Sequence, residues 1–356
     1  LIVVSGEGVS GQDGYFWDTF HIPNFYKTHW KRFTQPIADS GIPYAYIPGN
    51  HDLDCDLNRY EIAELDMTHP SSVRKTSEGI PDTLNFYVPI YSGQNTNKLA
   101  LNIWLFDSGR KGCMDQESGW GCVEEPQIQW YEKESKKVKE KHGSDVHHIA
   151  FVHIPPPEYM YLANEGEIYG VYGETVCCPL ANSGFVDRIL AVNEISTLFV
   201  GHDHFNNGGG WYKGLELSYG QKSGHGGYGD IRGVRVIKFK ENVDTNGKLS
   251  VKKDHYIIFE NGTINTSKDV YVKPGKKQRV CTSEPPEKTF YRLSRHTKIF
   301  DRLLLAAEIL FGLLVLFALY KIKRAFCTKQ KASFNEFIEL SNEHVAAAGQ
   351  EQNSSD

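Results

Sequence analysis

Four apolar runs in this chain, each of strand length, stop at a short tract of residues able to ligate a cation. Residues 1–5 run into Gly6-Glu7, and residues 44–48 into Gly49-Asn50-His51-Asp52. Residues 149–152 run into His153, and residues 197–200 into Gly201-His202-Asp203-His204. In an α/β sheet, ligands collect beyond the carboxyl ends of the strands, so four such tips in one chain can converge on a single site. A glycine just before a ligand lets the backbone turn sharply. Histidines alternating on an extended tip, as in His202 and His204, present two imidazoles on one side. A carboxylate, a carboxamide and several imidazoles form a mixed donor set suited to Fe, Mn or Zn. Each piece alone has a plainer meaning: GNHD is a common turn, and a histidine after a strand is commonly a hydrogen-bonded core residue. The signal is the four together and in order.

The surrounding pattern is consistent with that convergence. Strands are expected at 1–5, 44–48, 99–107, 148–153 and 195–200, and helices at 25–40, 61–67, 126–142 and 184–193. Beyond Val200 the chain turns to short strands with glycine-rich connections (214–219, 233–240, 255–260). Alternation followed by a β-rich stretch predicts an α/β fold of two sheets packed face to face and flanked by helices. The charge-rich stretch 132–141 reads as a solvated helical face. Gly224-His-Gly-Gly-Tyr-Gly229 fits a nucleotide-loop pattern, but strand-like sequence follows it, so it reads as a flexible loop near the site. His225 and the pair His147-His148 read as solvated or structural, and Asp107 as a turn residue.

The order GE…GNHD…H…GHDH resembles the GD…GNH(D/E)…H…GHxH order of the calcineurin-like metallophosphoesterases. In texture the chain is similar to the small purple-acid-phosphatase-related branch of plants and fungi. Phe151-Val-His-Ile-Pro-Pro-Pro-Glu-Tyr159, Val200-Gly-His-Asp-His-Phe-Asn206 and Gly233-Val-Arg-Val-Ile237 carry the likeness, which covers roughly residues 1–260. The resemblance implies that Asn50, His153 and His202 bind one metal, that His204 binds a second, and that Glu7 bridges them. It further implies that His51 faces the phosphate and protonates the leaving oxygen. Two divalent or trivalent ions would then polarise the phosphoryl group and activate hydroxide for in-line displacement. Three positions depart from the family pattern. The bridging residue is Glu7 where the family has Asp. An upstream Asp-x-His motif does not appear, and since the chain opens at Leu1, an incomplete N-terminus is expected. Ser10 occupies the place of the tyrosine that colours purple acid phosphatases.

A net charge of −5 argues against a protein whose main task is gripping nucleic acid. Residues 303–320, LLLAAEILFGLLVLFALY, carry Glu308 as their sole charge and lie between charged borders. As a helix they would cover about 27 Å, so a single membrane span is expected. Five Lys or Arg flank each side (Lys288, Arg292, Arg295, Lys298, Arg302; Lys321, Lys323, Arg324, Lys329, Lys331), which leaves orientation undecided by charge. Six of the seven cysteines precede the span (Cys55, Cys113, Cys122, Cys177, Cys178, Cys281), and so do the glycosylation acceptors at Asn261 and Asn265. Both suit disulfides and a luminal or extracellular domain. The expected organisation is a catalytic domain at 1–272, a juxtamembrane stalk at 273–302, a span at 303–320 and a polar tail at 321–356. The expected activity is hydrolysis of phosphomonoesters, on a small molecule or a phosphoprotein. A phosphodiesterase of the same fold and a non-catalytic membrane adaptor are the alternatives.

Overall fold

The computed structural model describes residues 1–10, 24–74, 84–266, 271–272, 277–281, 309–312, 314, 315, 317, 319 and 321. The chain divides into two compact units, Leu1–Glu284 and Pro285–Asp356.

The first unit is built on a mixed eight-stranded sheet. Its parallel centre comprises β4 (Leu99–Phe106), β7 (His147–Val152), β9 (Ile195–Val200) and β11 (Leu215–Tyr219). On one side β3 (Phe86–Tyr91) adds antiparallel to β4. On the other, β10 (Gly209–Tyr212), β8 (Ile168–Val171) and β15 (Tyr271–Val272) complete the sheet. Every residue of β4 is buried, because a central strand is covered on both faces. Outside this sheet lie β1 (Ile2–Ser5), β2 (Tyr44–Ile47), the disulfide-closed hairpin of β5 (Lys111–Cys113) and β6 (Gln116–Trp120), and a three-stranded ribbon from later in the chain.

Helices α3 (Glu125–His142), α4 (Glu158–Glu165) and α5 (Phe185–Val192) supply residues to the core on one face, where Ile128, Tyr131, Tyr159, Val186 and Ile189 join Trp104, Val152 and Leu198. Helix α3 starts at a capping box, Glu124 exchanging bonds with Gln127, with Pro126 in its first turn. On the opposite face, Ile103, Leu105, Ile149, Phe151 and Phe199 meet Ala45 and Ile47 of β2, Val3 of β1, and Ile237 and Phe239 of β12 (Gly233–Val243). The second layer is therefore present but is not one sheet. It has two pieces, the parallel pair β1–β2 and the ribbon of β12, β13 (Leu249–Phe259) and β14 (Ile264–Asn265). The far side of β1–β2 is covered by α1 (Phe25–Ser40) and α2 (Arg59–Met67) through Tyr26, Trp30, Tyr46 and Ile62.

Two expectations shift. The first unit runs past the boundary drawn at residue 272, because Gln278 exchanges hydrogen bonds with Asn164 and Val176, and Cys281 is bonded to Cys178. The six cysteines are not all paired: Cys113–Cys122 and Cys178–Cys281 form disulfides, while Cys55 and Cys177 do not. The stalk, the span and the tail fall largely outside the described residues, as does Cys327. Residues 309–312, 314, 315, 317 and 319 are helical and exposed. Among the described residues no helix is long and apolar enough to cross a membrane.

Candidate metal centre

The parallel strands β1, β2, β7 and β9 all point their carboxyl ends the same way, and the four tips meet. The closest join lies between β1 and β7, where the imidazole Nδ1–H of His153 donates to the carbonyl of Ser5 at 2.6 Å. This contact explains two glycines. A Cβ on Gly6, which has φ +112°, would lie 2.2 Å from His153 Nδ1, and a Cβ on Gly49 would lie 2.7 Å from Glu7 Cγ. A side chain at either position would collide with the site itself.

Asp52 fixes the β1 tip to the β2 tip. Fully buried, its carboxylate accepts from the backbone N–H groups of Glu7 (2.7 Å), Gly49 (2.7 Å) and Val9 (3.0 Å), and from the Tyr26 hydroxyl (3.0 Å). Held this way, Glu7 adopts a left-handed backbone with φ 59°, and His202 does likewise with φ 72°. Such conformations are uncommon for side chains of this size and concentrate where a fold aims them at a ligand.

Glu7 is the hub. Its Oε2 lies 3.0 Å from His204 Nε2, and its Oε1 lies 3.5 Å from His153 Nε2 and 3.9 Å from His51 Nε2. Asn50 Oδ1 is 3.0 Å from His153 Nε2. The tautomers of the two nearer histidines are set from behind: a carbonyl can only accept, so His153 carries its proton on Nδ1 toward Ser5. His204 does the same toward the carbonyl of Tyr228 at 2.8 Å. When neutral, each ring turns an Nε2 lone pair toward oxygens that also only accept. That arrangement is repulsive unless a proton or a cation lies between. Burial pushes the Glu7 carboxyl up, but hydrogen bonding to His153 and His204 outweighs it and holds the group well below the usual carboxylate range. Burial pulls His153 and His204 down, yet their contact with Glu7 wins and both are raised.

His202 completes the cluster. Both of its ring nitrogens are shut off from solvent without a hydrogen-bond partner. Burial, then the neighbouring His153, pushes this imidazole well below its ordinary range, so it stands neutral with a lone pair available. A ligand atom each from Glu7, His153 and His202 lie within 4.8 Å of one another, and Cys177, His202 and Asp203 form a second such group. These residues fit cations. Imidazoles and a carboxylate converge, and the two Glu7 oxygens are directed at different histidines, as a bridging carboxylate requires.

All six residues expected from sequence (Glu7, Asn50, His51, His153, His202, His204) are thus brought to one place. His51, with a side chain 20% exposed, sits toward the open side. Sequence reasoning missed the groups that position them. Tyr228 stacks on His204 at 4.2 Å, its carbonyl sets the His204 tautomer, and its hydroxyl is held by Glu174. The glycine-rich loop that carries Tyr228 is therefore part of the site's support. Trp120 packs edge-on against His202 at 4.4 Å, and Asp54 accepts from His51 Nδ1 at 2.7 Å. The acidic residue three places after His51 was a readable signal, while Trp120 and Tyr228 arrive through long-range packing. Of the histidines set aside, His225 has a side chain 79% exposed, whereas His148 is buried and accepts from the Trp104 indole N–H at 2.9 Å. Asp107 is a turn residue, accepting from the Gly109 N–H at 2.9 Å.

Comparison with known proteins agrees with this geometry. Residues 1–206 match the model of the calcineurin-like phosphoesterase family. Among curated proteins, the chain is 30% identical over 228 residues to Probable inactive purple acid phosphatase 14 of Arabidopsis thaliana, covering 57% of this chain and 56% of that protein. It is 27% identical to Probable inactive purple acid phosphatase 29 of the same plant, covering 71% and 67% of the two chains. It is 28% identical to Phosphatase DCR2 of Saccharomyces cerevisiae, covering 48% and 31%. The match thus spans little more than half the length of the first of these relatives. A dimetal phosphatase from Danio rerio aligns in structure with a TM-score of 0.39 at 12% identity, over 62% of this chain and 71% of that one. The family match takes in all four strand tips and every residue of the cluster, and the chain belongs to the calcineurin-like phosphoesterases.

Proposed function

We propose that the protein is a metal-dependent phosphatase acting on phosphomonoesters at the Glu7 cluster, with Asn50, His153 and His202 holding one cation, His204 a second, and Glu7 between them. The observation that carries this reading is the placement of two imidazole Nε2 atoms, each of which needs a proton or a cation there, against the two oxygens of one carboxylate. Cations bound there would lend Lewis acidity to the phosphoryl oxygens and lower the pKa of a water. The protein's own part is to hold the donors: Ser5 and Tyr228 set the tautomers, and Asp52 sets the approach of the β1 tip. His51, on the open side with Nε2 directed at Glu7, is placed to donate a proton to the departing oxygen. The two disulfides support an oxidising compartment for this unit, and we place the membrane anchor at 303–320 from its sequence.

A second reading, a non-catalytic adaptor of the same fold, is favoured by Glu7 standing where the family has Asp and by two relatives whose names call them inactive. One experiment separates the two. Metal-loaded full-length protein is assayed on an aryl and an alkyl phosphate, with metal content measured in parallel. For the enzyme, His51→Ala keeps its metal and loses about 10²–10⁴ in rate, more on the alkyl ester. Asn50→Ala and His204→Ala lose metal and rate together, and Glu7→Asp retains activity. Absence of hydrolysis by metal-loaded wild type, unrelieved by Glu7→Asp, establishes the adaptor instead.

A further inference from the structure

The hairpin of β5 and β6 is closed by Cys113–Cys122 and reaches the candidate centre from two sides. Trp120, near its end, packs on His202. Arg110, immediately before its start, forms an ion pair through Nη2 with Asp54 Oδ1. The other oxygen of Asp54 accepts from His51 Nδ1 at 2.7 Å, and His51 Nε2 lies 3.9 Å from Glu7. One line of contacts therefore runs from the hairpin through Arg110, Asp54 and His51 to the hub of the cluster.

The join between Arg110 and the hairpin's far end is tight. The Gly121 N–H donates to the Arg110 carbonyl at 3.3 Å, and a Cβ on Gly121 would lie 2.2 Å from the Ser108 carbonyl oxygen. The disulfide bonds the residue after Gly121 to Cys113, so the loop carrying Arg110 is fixed at both ends. Asp54 needs such a partner. It lies in an acidic tract, Asp52-Leu-Asp54-Cys-Asp56, and its side chain is only 19% exposed. A carboxylate so placed is held by a cation or turns to solvent. If it turns, His51 loses the acceptor that fixes its tautomer and ring orientation, the role a carboxylate plays behind a catalytic imidazole.

We infer that Arg110 is a positioning residue for His51, acting through Asp54, and that the disulfide-closed hairpin is the element that delivers it. This rests on the proposed role of His51. Arg110 does not touch the reacting group; it keeps Asp54 turned inward, and Asp54 keeps the Nε2 of His51 directed at the centre.

The test uses full-length, metal-loaded protein carrying Arg110→Gln, Arg110→Lys or Asp54→Asn. Arg110→Gln and Asp54→Asn are expected to lower kcat on an alkyl phosphate by about 10–100-fold, with a smaller loss on an aryl phosphate, at unchanged KM and metal content. Arg110→Lys should recover part of the loss by restoring the charge. Cys113→Ser/Cys122→Ser should show the same aryl-to-alkyl signature. A rise in KM with kcat intact would make Arg110 a substrate contact and overturn the inference; so would equal losses on both esters accompanied by metal loss. If wild type is active, His51→Ala is impaired and the Arg110 variants behave as wild type, the inference fails while the phosphatase reading stands. If wild type is inactive, the phosphatase reading fails and the nitrogen resonances of His51 decide the positioning: Arg110→Gln shifts Nδ1, or the inference fails too.

Discussion

Glu7 and Glu216 are both buried or nearly buried carboxylates with histidines against them, and they have opposite meanings. Glu216, on β11, accepts from the Tyr169 hydroxyl (3.0 Å) and His255 Nε2 (2.9 Å) on one oxygen, and from the Thr197 hydroxyl (3.0 Å) and Lys253 on the other. His255 in turn accepts on Nδ1 from Arg235 at 2.9 Å. Every proton in that network has a donor and an acceptor, with His255 neutral and Lys253 supplying the positive charge. Among the described residues no lysine or arginine is in contact with Glu7, and the two nearest imidazoles give their Nδ1–H groups to backbone carbonyls. What remains, the two Nε2 atoms, meets Glu7 only through a proton or a cation.

The difference separates a structural polar cluster from a binding one. Burial and charge alone do not, since both carboxyls are held below the usual range. The direction of each hydrogen bond does. A network closed on itself joins the central sheet to the β12–β13 ribbon, whereas one whose acceptors meet only through a shared proton can exchange that proton for a cation.

The sharpest way to break this comparison is to remove each charge in metal-free protein and measure stability by chemical denaturation. Glu216→Gln leaves Lys253 buried without its counter-charge, and a loss of about 3–5 kcal/mol is expected. Glu7→Gln removes a carboxylate whose partners are histidines rather than a buried lysine, and these can shed their protons once it is gone, so a smaller loss is expected. A comparable loss in both would show that Glu7 belongs to an ordinary structural ion-pair network. The next largest effect comes from metal. At a free concentration a hundred times the dissociation constant, one bound ion adds about 2.7 kcal/mol to unfolding. Wild type and Glu216→Gln should both gain it, and chelation should remove it. Stabilisation of Glu7→Gln to the same extent would place the ion elsewhere.

How far the sequence carries these clusters follows from their physics. The Glu7 site was legible because each ligand follows an apolar strand, and a strand tip in an α/β sheet has a known address. Asp52 and Asp54 stood in the same motif, but their roles depend on what the β1 tip and Arg110 bring from other parts of the chain. The Glu216 network left no trace in sequence, since Lys253, His255 and Arg235 read as ordinary residues of a β-ribbon until the ribbon lies on the sheet. The face-to-face second layer was expected from the β-rich end of the chain. Its division into β1–β2 and the ribbon was not, because period-two alternation marks a strand without naming its partner. Disulfide partners were hidden for a similar reason, Cys178 reaching Cys281 across 103 residues while its neighbour Cys177 stays outside both bonds.

The smallest effect tests the neutral histidine, the device that closes the Glu216 network, at a third place. His148 is 2% exposed and accepts the Trp104 indole N–H, so protonation would both charge a buried ring and break that bond. Burial first, then the charges of His147 and Lys139, push it down to about 4. The unfolded chain takes up a proton near pH 6.5, where the folded protein does not. Between pH 6.5 and 4.5 the unfolded state therefore binds more protons, and stability must fall as pH falls, by about 1.4 kcal/mol per unit for this group at most. Glu216 is silent in that window. Its folded pKa is depressed, so its contribution is complete above the ordinary carboxylate range and is lost only below it. His148→Gln retains an acceptor for Trp104 without a titrating ring. Urea midpoints of wild type and variant, compared across the window, should converge as pH drops. Parallel profiles would show that His148 is already charged in the fold or reaches solvent. A buried histidine with a donor on one nitrogen would then no longer imply neutrality, and the contrast between Glu7 and Glu216 would lose its footing at His255 as well.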